Sequence, residues 1–175
     1  ELAYSNALIA VELMDEQKAT EAAEHTYNAL LLSENVVTRH PNNVSFWKNR
    51  VRMIYELARL DPQFLQFAIE SLEKAVQIAP TDAKLLYNLG YVYRLTGSPQ
   101  KAVEILEKTI QLKPDYRDAY FTLGLAYHDS AVDKNELIID PQKQKKAQAS
   151  LEHILNSISA DDEETIKTLK SWNAL

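Results

Sequence analysis

The sequence predicts an all-α chain built from repeated helix pairs, and three observations carry that reading. Gly is scarce, at 3 residues in 175, against the Gly-rich turns an all-β chain needs, while the helix formers Ala, Leu, Glu, Lys and Gln dominate. A stretch of sequence returns at an offset of 34 residues. Inside each copy apolar residues fall at i, i+3, i+4 and i+7, the spacing of one helix face.

The repeat is read by aligning FAIESLEKAVQIAP (67–80) with KAVEILEKTIQLKP (101–114), where seven of fourteen positions are identical. The same offset relates Leu86, Leu89, Gly90 and Tyr93 to Tyr120, Leu123, Gly124 and Tyr127. A fixed period over both halves of a unit marks a stack of supersecondary units, each burying its apolar face on the next.

Taken in order, residues 1–43 form an irregular first unit. Tyr4, Ala7, Leu8 and Val11 fit one helix, and Asp15 is the expected cap of a second that runs to about residue 39. The second unit, 44–82, places Trp47, Arg50, Val51 and Ile54 on its first helix. After Asp61-Pro62, Ala68, Leu72 and Ala75 lie on its second, which is expected to carry an extra turn. Arg50-Val51 stands where the other units have Leu-Gly, so this pair is expected to sit wider.

The third unit, 83–116, is the most regular. Gly90 costs about 1 kcal/mol against Ala inside a helix, which suits a place where another helix comes too close for a Cβ, with Ala102 as the expected small partner. Gly97 ends the first helix, and Ser98-Pro99 provides N-cap and first position of the second. The fourth unit, 117–160, carries 11 extra residues between Tyr120 and Ala147. About one turn of these extends the second helix from Asp140-Pro141. The rest lengthen the preceding helix or turn. Leu137, Ile138 and Ile139 are too apolar for a free tip, so they should pack on a helix or meet a partner or second copy. Residues 161–173 read as a cap helix, with Asp161 and Glu164 as its capping box and Ile166, Leu169 and Trp172 inward.

The pattern of large residue, Leu-Gly, Tyr, Ala, large apolar residue and Pro over 83–116 resembles the tetratricopeptide repeat (TPR) family. The resemblance implies one TPR domain over 1–175, a right-handed superhelix of antiparallel pairs that works as a protein-binding scaffold. NVSFWKNR (43–50), followed by IAPTDAKLLYNLG and LKPDYRDAY, also resembles the cytosolic TPR tail of some bacterial O-antigen ligase or polymerase-type membrane proteins. A start at Glu1 rather than Met fits a piece of such a longer chain.

No residue set points to catalysis. With no Cys there is no thiolate nucleophile, thiolate metal site or disulfide scaffold. His25, His40, His128 and His153 have no His partner at ligand spacing, and the three Gly are isolated, so neither a metal site nor a phosphate loop is written in the chain. No cofactor is implied. A net charge of −6 argues against nucleic acid. No apolar run nears the ~20 residues that span a bilayer, and no signal peptide is visible. The expected place is the cytoplasm or the cytosolic face of a membrane protein.

The stacked first helices should line a concave groove. The residues facing it are Lys48, Asn49, Arg52 and Tyr55 in the second unit. In the third they are Lys84, Tyr87, Asn88, Tyr91 and Arg94. In the fourth they are Asp118, Phe121, Thr122, Leu125 and His128. Tyr and Arg are frequent anchors of binding surfaces, so a protein or peptide is the expected partner, extended and acidic. Lys48 and Asn88 match the Lys/Asn clamp by which some family members hold a peptide's terminal carboxylates. Arg52, Asp118 and Thr122 depart from it, which puts chaperone tails in doubt.

Overall fold

A computed structural model describes residues 1–172; position 173 of the expected cap helix lies outside them. The described residues form nine α-helices: α1 (Leu2–Asp15), α2 (Ala19–Arg39), α3 (Val44–Leu57), α4 (Leu65–Ile78), α5 (Ala83–Leu95), α6 (Pro99–Leu112), α7 (Arg117–Ala131), α8 (Pro141–Ser157) and α9 (Glu163–Trp172). They divide into two compact units, 1–85 and 86–175.

In the first unit α1 and α2 meet through small residues. Ala7, Ala10 and Val11 of α1 and Ala22 and Ala29 of α2 are buried, whereas Leu8 is not. α2 reaches Arg39 as expected, but Asp15 belongs to α1 and Lys18 stands at the N-cap of α2. The turn is made by Gln17 at φ 63, a left-handed position filled without glycine. α3 starts at Asn43, whose side chain accepts from the Ser45 amide. The extra turn ahead of α4 is 3-10 (Pro62–Phe64), capped by Asp61.

Arg50 is the unexpected core residue of this unit. It is 8% exposed on α3. Its guanidinium donates to Ser71 of α4 (3.2 Å) and Ser33 of α2 (3.0 Å), and pairs with Glu34 (2.8 Å). Three helices thus share one cation, and its donors are met where a Leu would have packed.

In the second unit the glycines do what their positions require. A Cβ on Gly90 would lie 2.6 Å from Leu106 Cγ, and one on Gly124 would lie 2.8 Å from Leu151 Cδ2 and 3.1 Å from the Ala147 carbonyl. The close neighbour of Gly90 is therefore Leu106, one turn beyond the expected Ala102. Gly97 ends α5 at φ 73. Ser98 precedes Pro99 as expected but makes no capping bond.

α8 has 17 residues against 14 for α6, and Asp140 caps it. The inserted residues do not lengthen α7 beyond Ala131. They fold back as a short hairpin with a Val132–Ile138 bridge. α9 is capped by Asp162, which accepts from the Thr165 amide; Asp161 instead accepts from Ser159. Arg117 of α7 reaches Asp162 with two bonds (2.7 and 2.8 Å) and Glu164 with a third (2.8 Å). Trp172 is buried on the His128 ring at 4.4 Å.

Candidate functional site

In the unit of residues 1–85, the expected site residues are Lys48, Asn49, Arg52 and Lys84. Lys48 Nζ pairs with Asp82 at 2.8 Å. Asp82 also accepts from the amides of Lys84 and Leu85, capping α5. Partial burial pushes the Asp82 carboxyl up, but Lys48 and these amides outweigh it and hold the group below its ordinary value. Arg52 lies over the Tyr4 ring at 4.1 Å, a cation–π contact from α3 to α1. Asn49 and Lys84 are exposed. Two of the three expected cations are therefore already engaged by the protein's own groups.

In the second unit, Tyr87 and Tyr91 occupy successive turns of α5 and stack at 6.1 Å between centroids. Tyr116, in the turn before α7, lies 5.1 Å from Tyr87 and completes a three-ring cluster. Burial raises the Tyr87 phenol above its ordinary value, against the lowering effect of its hydrogen bond with Thr122. Tyr91 is 37% exposed and is the outward ring of the stacked pair. Arg94 donates to Asp129 of α7 at 2.7 Å, and Asn88 is half-buried.

Phe121, Thr122 and His128 face inward more than a groove position should. Phe121 is buried with the Arg117 guanidinium over its ring at 4.6 Å, and Thr122 is buried too. His128 bonds Gln144 of α8 and stacks on Trp172. His128 is thus taken up by the packing of α7 against α8 and α9, and the Phe121 ring is covered by Arg117 of its own helix. Asp118 is exposed and pairs with Arg117 at 3.4 Å. The site that the residues build is thus the face of Tyr87, Tyr91 and Tyr116, edged by Arg94–Asp129. Sequence reasoning missed Tyr116 because it lies outside the helical stripe. Its signal was a Tyr two residues past the Pro that closes the repeat.

Stacked phenol rings offer apolar area with few torsions to freeze, and the flanking ion pair offers exchangeable charge. Among the described residues no group of three His, Asp or Glu could hold a metal ion. No described helix is long and apolar enough to cross a membrane.

Residues 65–123 match the family model of the tetratricopeptide repeat. No curated protein matches the chain in sequence. Among solved structures, it is similar to a thermophilic TPR protein of Thermus thermophilus, at 16% identity, 99% of this chain, 100% of that one and a TM-score of 0.62. A double mutant of the MamA RS-1 protein matches at 20% identity over 89% of this chain and 76% of that one, TM-score 0.53. A mutant O-GlcNAc transferase of Thermobaculum terrenum matches at 21% identity, TM-score 0.52, over 88% of this chain but 26% of that one. These likenesses establish the fold as an all-α array of tetratricopeptide-type helix pairs.

Proposed function

We propose that the chain is a non-catalytic interaction scaffold that holds an extended, acidic peptide or protein segment, with Tyr87 and Tyr91 as its anchors. The observation that carries this reading is the stacked pair itself: two rings on successive turns, backed by Tyr116, with Tyr91 outward. Buried aromatic anchors supply most of the binding energy at protein interfaces. Arg94 beside them can turn a second donor to a ligand carboxylate without leaving Asp129, since guanidinium carries five N–H groups. Asn88, on the same helix, adds an amide to the recognition of the peptide backbone. Lys48, Arg52 and Lys84 belong to the other unit and contribute chiefly charge, which favours acidic segments and speeds their approach, and Asn49 beside them offers a neutral amide. Phe121 and His128, engaged by Arg117 and by Gln144 and Trp172, are left with a minor part in binding.

A peptide array followed by titration tests this. Tyr87→Ala or Tyr91→Ala should weaken the best binder about 10-fold, mainly through dissociation. Arg52→Glu and Lys84→Glu should act mainly on association and lose their effect as salt rises. Basic best binders, or charge reversals without effect, would exclude the assignment.

The second reading makes the chain a regulatory or assembly tail of a membrane O-antigen ligase or polymerase-type glycan transferase, on the cytosolic side. What speaks for it is the resemblance of residues 43–50 and the loops that follow. The comparisons add nothing to it. Transmembrane segments in the complete gene product would decide for it.

A further inference from the structure

Two features lie outside the face just described. The first is a cavity of about 550 Å³ in the first unit, between the start of α1, the C-terminal half of α2 and the N-terminal half of α3. Leu32 and Val36 from α2 and Phe46 and Met53 from α3 form its apolar wall, beside the polar Glu1, Ser33, Asn35, Asn49 and Arg50. Its rim carries Arg39 and His40 at the end of α2. Arg39 is exposed, and among the described residues no carboxylate pairs with it. The volume is that of a site for a few aliphatic side chains.

The second is the hairpin between α7 and α8. It is tied down at its base: Ile139 N donates to Ala131 O at 2.8 Å, and Asp133 N donates to Leu137 O at 3.0 Å. Asp133 also accepts from the amides of Asn135 (2.9 Å) and Leu137 (3.0 Å), fixing the turn. On this frame Leu137, Ile138 and Ile139 stand 63%, 43% and 66% exposed. Glu136 and Asp140 flank them. Three consecutive large apolar side chains held outward on an ordered turn mark an interaction element.

We infer that the hairpin tip of one copy enters the α1–α2–α3 cavity of a second copy. Each feature has the chemistry the other lacks. The tip brings aliphatic side chains beside the Glu136 carboxylate, and the cavity brings an apolar wall beside Arg39, with which no described carboxylate pairs. Because tip and cavity are different surfaces, one intact tip and one intact cavity suffice for a contact between two copies. The backbone bonds within the hairpin leave it ordered before contact, so little conformational freedom is lost on docking.

Sedimentation velocity on the whole chain tests the inference. Average mass should rise with concentration over roughly 10 µM to 1 mM, as for a small interface. Leu137→Asp with Ile139→Asp should abolish the rise, and so should Val36→Asp. Arg39→Glu, at an exposed position, gives a second cavity variant that does not disturb the core; it should weaken association at least 10-fold. Mixing the tip variant with either cavity variant should restore association as a 1:1 complex, since one intact tip and one intact cavity remain. A chain that stays monomeric throughout this range overturns the inference. So does association that survives both tip and cavity substitutions, or a mixture that fails to pair while each variant keeps its helical circular dichroism.

Discussion

At the crossing of α7 and α8, Gly124 lets the Leu151 side chain come closer than a Cβ would permit, with the Ala147 carbonyl tight behind it. At the matching crossing of α3 and α4, Val51 fills the glycine's place and Arg50 the leucine's, both buried. In one unit the pair is set by close contact of apolar atoms. In the other it is bridged by a cation whose bonds run to Ser33, Ser71 and Glu34. The comparison shows what a repeat motif encodes. Its small residue lets two helices come near, and where it is lost a polar side chain can be buried at the crossing if its donors find acceptors.

The largest effect expected from this contrast is at Gly124. Gly124→Leu should cost about 3 kcal/mol or more, since a backbone carbonyl as well as a side chain stands in the way. Val51→Leu adds one methylene where a side chain already sits and should cost about 1–2 kcal/mol, less than Gly124→Leu. Chemical denaturation of the two variants compares them directly, and equal losses would break the comparison.

Next in size is Arg50→Ala, expected to cost about 2 kcal/mol, as charged hydrogen bonds at a buried site are lost. Ser33 and Ser71 keep their bonds to Leu30 and Phe67 carbonyls, so the loss stays moderate. Urea midpoints measure it.

Acid should then separate the units. Hydrogen bonds from Arg117 chiefly hold the Asp162 carboxyl well below the ordinary carboxylate range, although partial burial pushes the other way. A depressed folded value means the contribution is complete above about pH 5 and fades as pH falls through the folded value. Trp172 fluorescence should report the loosening of α9 below pH 4, and Arg117→Ala should remove most of that pH dependence. Glu34→Gln is the smallest change, below about 1 kcal/mol, because Glu34 is 59% exposed and the Gln amide oxygen can still accept from the buried Arg50.

The helix pairs were legible because their signals are local. The 34-residue offset, Gly97 and Asp140-Pro141 act within one or two turns. Contacts between distant residues were not. Asp161 and Asp162 offer the same capping chemistry, and only Arg117, far upstream, selects the second. The inward turn of His128 depends on Trp172, and the engagement of Lys48 depends on Asp82. A helical stripe gives the side on which a residue lies, but not which neighbour reaches it first.

The Arg117–Asp162 clasp joins residues 45 apart in sequence and passes over α8 to do so. Neighbouring pairs such as α7 and α8 can form by closing short turns, whereas the clasp waits until a far longer loop is closed, at greater entropic cost. It is therefore expected to form on the late, downhill side of the folding barrier. Removing it should leave the refolding limb of the chevron in place and raise the unfolding limb, so that the clasp sets how long the native chain survives rather than how fast it is reached.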